Sequence, residues 1–225
     1  MPITVPIAGM HIIWDWNGTL FDDNHVVIDS VNASLALLGT DPIDAAVYRR
    51  HFARPLHLFY ERILGRDVDG ALLASIDDTF QAAYASGLPS AGLTHDAREA
   101  TEHVAGAGAS QSVASMLWHD LLVSAVTRCD LDGAMLALDG HRGAVGETKE
   151  QHLAGHVDRL ESMYPHLVRH RMVVIGDITD DAAAARVAGI RCVLYDGGSQ
   201  ERHLLEAEGV PVAATLIEAV ALALG

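Results

Sequence analysis

Residues 10–23 read MHIIWDWNGTLFDD, and this stretch decides the fold. An apolar run from Ile12 to Trp14 ends abruptly at a carboxylate, Asp15, and Gly18 and Thr19 follow three and four residues later. A buried strand of an open parallel sheet presents a reactive side chain at its carboxyl end, where such folds bind their ligands. We therefore expect Asp15 to end the first strand of a parallel sheet and to be followed by a sharp turn.

The patterns on either side of residue 91 predict two different architectures. Residues 24–90 lack strand alternation and contain helical segments over 25–38, from 40–42 onward, over 55–64 and over 69–86. From residue 94 onward strand and helix patterns alternate, which favours a parallel sheet with crossover helices. The expected fold class is α/β, a three-layer Rossmann-like core (residues 1–23 and 91–225) with a small inserted all-helical cap (residues 24–90).

Composition excludes several classes of partner. The 225 residues suit one good-sized domain with an insertion, and the net charge of -15 argues against a nucleic-acid partner. Two cysteines define no disulfide framework, and no apolar stretch approaches the length of a membrane span. We expect a cytoplasmic protein without a membrane partner, and the sequence does not indicate an oligomeric state.

Three further groups have the residue types that phosphate chemistry needs. Ser115 lies at the end of a short predicted strand over 111–116, and Ser112 is the weaker alternative on the same strand. Lys149 is the only lysine beside fourteen arginines, and Thr148 with Gln151 predicts a capping box that places it in a first helical turn. The helix dipole disfavours a cation in the first turn, so a bound anion would explain why Lys149 lies there. A lysine in the first turn is expected to contribute little to the stability of the helix.

The third group is a cluster of acids after a buried strand, in residues 176–181, GDITDD. Asp177, Asp180 and Asp181 lie within five residues, and the sheet edge should bring Asp15 near them. Several carboxylates at one site raise one another's pKa unless a cation neutralises them, and hard oxygen ligands favour Mg²⁺. Acids at the start of a helix are the alternative explanation.

The order of these motifs resembles the haloacid dehalogenase-like (HAD) hydrolase superfamily, and in particular its phosphoglycolate phosphatase-like branch with a helical cap. The resemblance implies that Asp15 is a nucleophile forming an aspartyl-phosphate, and that Ser115 and Lys149 contact the phosphoryl group. It further implies that Asp15, Asp177 and the backbone carbonyl of Asn17 bind Mg²⁺, that Asp181 orients a metal-bound water, and that Asp180 caps the helix.

Asn17 departs from the family pattern Asp-x-Asp-Gly-Thr, in which a second acid stands at this position. That acid protonates the leaving oxygen and later activates water, a role worth roughly 10² to 10⁴ in rate. An amide orients a hydrogen bond but transfers no proton, so the catalytic role of Asn17 is reduced to orientation. His119, just past the strand of Ser115, is the first alternative proton donor to consider.

The remaining candidates concern the substrate. Gly18, Thr19 and Arg54 are the candidate substrate-binding residues, although Arg54, like its neighbours Arg49, Arg50 and His57, also fits a solvated helix surface. The helical insertion contains no lysine, which excludes a phosphonatase-like Schiff base. Trp14 is expected in the core and Trp16 at the entrance to the site.

The expected function is Mg²⁺-dependent hydrolysis of a phosphate ester or anhydride of a small metabolite. One alternative is a phosphotransferase or mutase of the same superfamily, which needs a cap that excludes water. Another is a phospho-ligand-binding domain with low turnover, against which the retained nucleophile argues.

Overall fold

The computed structural model describes residues 9–143 and 147–225. The described residues form eight strands, which in chain order are β1 (His11–Trp14), β2 (Phe21–Asp22), β3 (Gly92–Leu93), β4 (Ser110–Trp118), β5 (Leu138–His141), β6 (Met172–Gly176), β7 (Arg191–Tyr195) and β8 (Val212–Ala213). Six of them make one parallel sheet in the order β5-β4-β1-β6-β7-β8. Strands β4 and β5 lie on one side of β1, and β6, β7 and β8 lie on the other. Parallel sheets bind ligands at the carboxyl end of the strands where the strand order changes direction in this way.

Ten α-helices accompany these strands in the described ranges. They are α1 (Asn24–Leu37), α2 (Ala45–His51), α3 (Leu56–Leu64), α4 (Gly70–Gly87), α5 (Ala97–Gly106), α6 (His119–Arg128), α7 (Lys149–Met163), α8 (Thr179–Ala188), α9 (Arg202–Glu206) and α10 (Leu216–Leu224). None of the helices in these ranges is long and apolar enough to cross a membrane.

The sheet is covered on both faces, which makes the predicted three layers. Ile12 and Trp14 project into one apolar cluster, with α5, α6 and α10, while Ile13 projects into the other, with α7 and α8. This alternation follows from the two-residue period of a strand, and burial on both faces explains why the run is continuously apolar. The expected α/β fold class is confirmed.

The four helices between residues 24 and 90 have an apolar core of their own. Helix α1 packs along α4, and Leu35, Phe59 and Ile76 are buried among these helices. The chain leaves the sheet through β2 and returns through β3, and these two short strands pair antiparallel, Phe21 with Leu93. The helical insertion (residues 24–90) is therefore joined to the core by a two-stranded ribbon.

The structure corrects some predicted boundaries. The second helix of the insertion does not start at Thr40-Asp41-Pro42 but at Ala45, because the carboxylate of Asp44 accepts a hydrogen bond from Val47 N–H (2.8 Å). That bond satisfies a donor of the first turn, which is the usual role of an N-cap aspartate.

Candidate active site

Asp15 lies where the sequence places it, at the carboxyl end of β1. Its backbone N–H donates to Ile175 O in β6 (2.9 Å), which continues the sheet pairing up to the carboxylate itself. The side chain is buried, with a relative exposure of 4% for the residue, and lies on the floor of a cavity between the sheet edge and the helical insertion.

Lys149 reaches this carboxylate from the start of α7. The capping box of Thr148 and Gln151 is present and fixes the first turn of the helix. The ammonium Nζ lies 3.0 Å from Asp15 Oδ1 and 2.7 Å from Asp181 Oδ1. Burial disfavours its charge, but Asp15 and Asp181 outweigh that effect, so the pKa of Lys149 lies above its usual value. Lys149 is thus a partly buried partner in two ion pairs, so we expect its removal to cost more stability than its helix position alone predicts.

Three buried carboxylates surround the ammonium. Oxygens of Asp15, Asp177 and Asp181 all lie within 4.8 Å of one another. Burial and the neighbouring acids raise the pKa of Asp15 to about 8, against the opposing effect of Lys149. Burial and Asp181 likewise raise the pKa of Asp177 to about 6. One lysine therefore leaves this cluster short of positive charge.

The cluster fits a hard divalent cation on chemical grounds. Carboxylate oxygens, supplemented by water and a backbone carbonyl, are the ligands that Mg²⁺ prefers. A cation would also relieve the repulsion that raises the pKa of Asp15 and Asp177. Asp15, Asp177 and the Asn17 carbonyl are the predicted ligands, and Asp181, already paired with Lys149, is suited to a supporting position.

Gly18 and Thr19 pack against the carboxylates of Asp15 and Asp177. Thr19 Oγ1 lies 3.1 Å from Asp177 Oδ1 and 3.4 Å from Asp15 Oδ2, and its side chain is fully buried. Gly18 has a φ of +72°, which a glycine adopts without strain, and a Cβ there would clash with the carboxylate of Asp177. Both residues therefore position the acids, and their predicted contact with substrate stays a prediction.

The two candidate serines of β4 have different surroundings. Ser115 Oγ donates to Asn17 Oδ1 (3.3 Å), accepts from Leu117 N–H (3.1 Å) and lines the cavity. Ser112 is fully buried and bonded to His11 and His156, away from the cavity lining. Ser115 is thus the serine whose position suits the predicted phosphoryl contact.

Asn17 takes part in a network that the sequence did not reveal. Its Nδ2 donates to Asp23 Oδ2 (2.8 Å) and to the hydroxyl of Tyr84 in α4 (2.7 Å). Tyr84 in turn donates to Asp23 Oδ2 (2.7 Å), and Asp23 Oδ1 accepts from Gly18 N–H (3.0 Å). Burial raises the pKa of Asp23. An amide at position 17 is what allows a buried carboxylate to lie beside it.

Three sequence expectations about nearby side chains need correction. Asp180 does not cap α8; Asp181 Oδ2 accepts from Ile178 N–H (3.2 Å), whereas Asp180 faces Arg54 at 3.5 Å. Trp16 does not line the entrance but is fully buried and stacked on Phe21, with ring centroids 5.0 Å apart. His119 is bonded to Gly140 N–H and Arg142 and is absent from the described lining of the cavity.

The arginines of the helical insertion also differ from one another. Arg54 lines the cavity. Arg49 leaves the insertion and donates through Nη2 to the carbonyls of Asp196 (2.6 Å) and Gln200 (2.8 Å) in the core. Within the loop that it reaches, Ser199 N–H donates to Asp177 Oδ2 (2.7 Å). Arg49 therefore connects the helical insertion to a loop that touches a predicted metal ligand.

A series of buried hydrogen bonds, the histidine chain, links β1 through β4 to α7 and β5. His11 bonds Ser110 (2.7 Å) and Ser112 (2.8 Å), Ser112 bonds His156 (2.8 Å), and His156 bonds Asp139 (3.1 Å). The Ser112–His156–Asp139 order resembles a nucleophilic triad, but Ser112 is fully buried and no substrate reaches it. No local sequence pattern groups these histidines, because the contacts join four separate elements, β1, β4, β5 and α7.

Comparison with known proteins finds one family model and several solved structures that are similar to this chain. Residues 146–219 match the family model described as HAD-hydrolase-like. No curated protein matches the chain at a significant level. Among solved structures, a haloacid dehalogenase-like hydrolase from Streptococcus pneumoniae is 17% identical, with 96% of this chain and 99% of that chain covered and a TM-score of 0.79.

Two further solved structures have the same fold. A predicted phosphoglycolate phosphatase from Haemophilus somnus is 14% identical, with 96% and 98% of the two chains covered and a TM-score of 0.75. Mycobacterium tuberculosis Protein Tyrosine Kinase A is 20% identical, with 97% and 99% covered and a TM-score of 0.76. At these identities the likeness establishes the fold alone, and the family-model match covers residues 146–219 of this chain.

Proposed function

We propose that this chain is a Mg²⁺-dependent HAD-like phosphatase that hydrolyses a phosphate ester or anhydride of a small metabolite through an aspartyl-phosphate. The observation that carries the proposal is the position of Asp15. Its carboxylate lies on the cavity floor, 3.0 Å from the only lysine of the chain and beside Asp177 and Asp181. A structural ion pair would not need an accessible cavity above it.

In the proposed reaction an oxygen of Asp15 attacks phosphorus while the bond from phosphorus to the leaving oxygen breaks. The leaving group departs with the electron pair of that bond and takes its proton from solvent, and water then hydrolyses the aspartyl-phosphate to inorganic phosphate. Lys149 Nζ and Ser115 Oγ bind the phosphoryl oxygens and stabilise their charge. Mg²⁺, when bound, supplies further positive charge at these oxygens.

The proposal assigns the helical insertion (residues 24–90) as a cap over a core of residues 1–23 and 91–225. The cavity between them holds about 370 Å³, within the range of small-molecule sites. Arg49 and Ser199, which join the insertion to the core, support a closed position over Asp15. Arg54, at the cavity wall, is the proposed contact of the cap with substrate.

Turnover of acetyl phosphate tests the proposal, because its acyl leaving group needs no general acid. We expect phosphate release in the presence of Mg²⁺, loss of release with EDTA, recovery on adding Mg²⁺, and no release by Asp15→Asn. Equal phosphate release by Asp15→Asn would contradict the assignment of the nucleophile. Equal phosphate release in EDTA would contradict the requirement for Mg²⁺.

Phosphoryl transfer to an acceptor other than water is a second candidate. Asn17 cannot accept a proton from water as a carboxylate would, and the resulting slow hydrolysis lengthens the life of an aspartyl-phosphate. The fold is shared with Mycobacterium tuberculosis Protein Tyrosine Kinase A, which is consistent with this candidate. Adding ethanol or phenol during turnover separates the two candidates: a transferase forms the new ester at the expense of free phosphate, whereas a hydrolase forms phosphate alone.

A further inference from the structure

The cavity above Asp15 has a marked division between its floor and its walls. The floor carries the carboxylates and Lys149, whereas the walls supplied by the helical insertion are mostly apolar. Seven of the twelve aromatic residues of the chain line this one cavity: Tyr48, Phe52, Phe59, Tyr60, Phe80, Tyr84 and Trp118. Five of them are buried and present only part of their surface to the cavity, whereas Trp118 is exposed and Phe80 is half-buried and stacks on Tyr84 at 5.8 Å.

The charges on the walls disfavour a negatively charged leaving group. Among the described lining residues the cations are Lys149, which is paired with Asp15 and Asp181, and Arg54, which faces Asp180. Asp77 adds an exposed carboxylate on the α4 wall. A substrate with its own carboxylate would meet a negative charge there, and both cations of the described lining already have carboxylate neighbours.

The volume indicates a leaving group larger than a two-carbon acid. An apolar cavity of about 150 Å³ holds a benzene molecule, and this cavity of about 370 Å³ has room for a ring beside a phosphoryl group. Aromatic walls favour a planar ring through stacked and edge contacts.

We propose that the substrate is a phosphate whose leaving group is uncharged, apolar and aromatic, bound between the aromatic walls of the helical insertion. This inference rests on the proposed function and specifies its substrate class. The chemistry at Asn17 agrees with it, because a phenolate leaves without the proton that an alkoxide requires. The phosphoglycolate phosphatase-like branch, whose named substrate carries a carboxylate, is therefore a poor guide to the substrate of this chain.

Two matched pairs of phosphates test the inference. Acetyl and benzoyl phosphate both leave as carboxylates but differ by a ring, and we expect kcat/KM to be roughly tenfold or more higher for benzoyl phosphate. Phenyl and 4-carboxyphenyl phosphate differ by a charge remote from the ester oxygen, and we expect a preference of similar size for phenyl phosphate. Equal values within both pairs would overturn the inference while leaving the phosphatase intact. No turnover of any of the four would instead contradict the proposed function.

Asp77 and Asp78 provide a matched pair of variants on the same helix. Both are exposed, but only Asp77 belongs to the described lining of the cavity. Asp77→Lys should raise kcat/KM for 4-carboxyphenyl phosphate several-fold relative to phenyl phosphate, whereas Asp78→Lys should leave that ratio near its wild-type value. An unchanged ratio in Asp77→Lys, or the same change in both variants, would show that the leaving group does not lie against α4.

Discussion

At the scale of single residues, the motif residues were predictable from the sequence but their partners were not. Asp15, Lys149 and the Asp177–Asp181 cluster could be placed because strand ends and helix starts are visible in local patterns. The partners of Asn17 could not, because Tyr84 lies 67 residues away in another helix. Such a contact depends on how the helical insertion packs against the core, and no local sequence pattern predicts that packing.

The Asn17 network predicts an unusual response to restoring the family acid. Asn17→Asp alone would place a second, half-buried carboxylate about 2.8 Å from the buried carboxylate of Asp23, so we expect a loss of about 1–3 kcal/mol in the free energy of unfolding. The double variant Asn17→Asp with Asp23→Asn exchanges the two groups and keeps the bond. It should recover stability and raise kcat on alkyl phosphates by about 10².

Thermal unfolding and a series of leaving groups of rising pKa measure both effects, with Asp23→Asn as the control. The wild type should show a steep dependence of rate on leaving-group pKa, and the double variant a shallower one. The same steep dependence in both proteins would mean that position 17 does not govern protonation of the leaving group.

Lys149 should matter for both stability and turnover. Lys149→Met leaves three buried carboxylates without their cation, and breaking a buried pair costs about 3–5 kcal/mol. We expect Lys149→Met to unfold earlier in denaturant than the wild type, with Mg²⁺ recovering part of the difference, and to lose most of kcat. Lys149→Arg should recover stability better than kcat, because a planar guanidinium does not replace a compact ammonium. Wild-type kcat in Lys149→Met would remove this residue from the proposed chemistry.

At the scale of elements, long periodic segments were predictable and short ones were not. The apolar strand β1 and the helices α3 and α4 lie close to their expected bounds, and α7 begins at Lys149, as the capping box predicts. The two-residue strands β2 and β3 were missed, because two residues carry no period and their pairing forms only when the insertion closes the loop. Strand β5 was missed as well, since Asp139 and Gly140 interrupt its apolar pattern.

Closure of the helical insertion should depend on Arg49. Its Nη2 holds the loop of Asp196 and Gln200, and that loop positions Ser199 against Asp177. Arg49→Ala should therefore raise KM and increase the radius of gyration in solution scattering, with a smaller effect on folding. Arg50→Ala is the matched control, because Arg50 is exposed on the same helix. Identical scattering and KM for Arg49→Ala and wild type would show that this bond does not hold the insertion closed.

At the scale of the whole molecule, the buried histidines predict sensitivity to acid. Burial, reinforced by His156, lowers the pKa of His11 to about 3, and burial with His152 lowers that of His156 to about 3. Unfolded histidine titrates near 6.5. Between these values the unfolded chain binds protons that the folded chain does not, so the free energy of unfolding should fall as pH decreases from about 6.5 toward 3.

Each such histidine contributes a slope of up to about 1.4 kcal/mol per pH unit in that window. Denaturant unfolding at several pH values, with Mg²⁺ present, measures it. His156→Gln should show a shallower slope than the wild type, and His170→Gln, at an exposed position, should not. Equal slopes in all three proteins would mean that the histidine chain does not cause the acid sensitivity.

The central claim is that Asp15 receives the phosphoryl group, and intact-protein mass spectrometry after acid quench tests it directly. With acetyl phosphate and Mg²⁺, the wild type should gain the mass of one phosphoryl group, which peptide mapping locates at Asp15 and hydroxylamine removes. Asp15→Asn should gain none. A phosphoryl group mapped to another residue, or equal labelling of Asp15→Asn, would contradict the account.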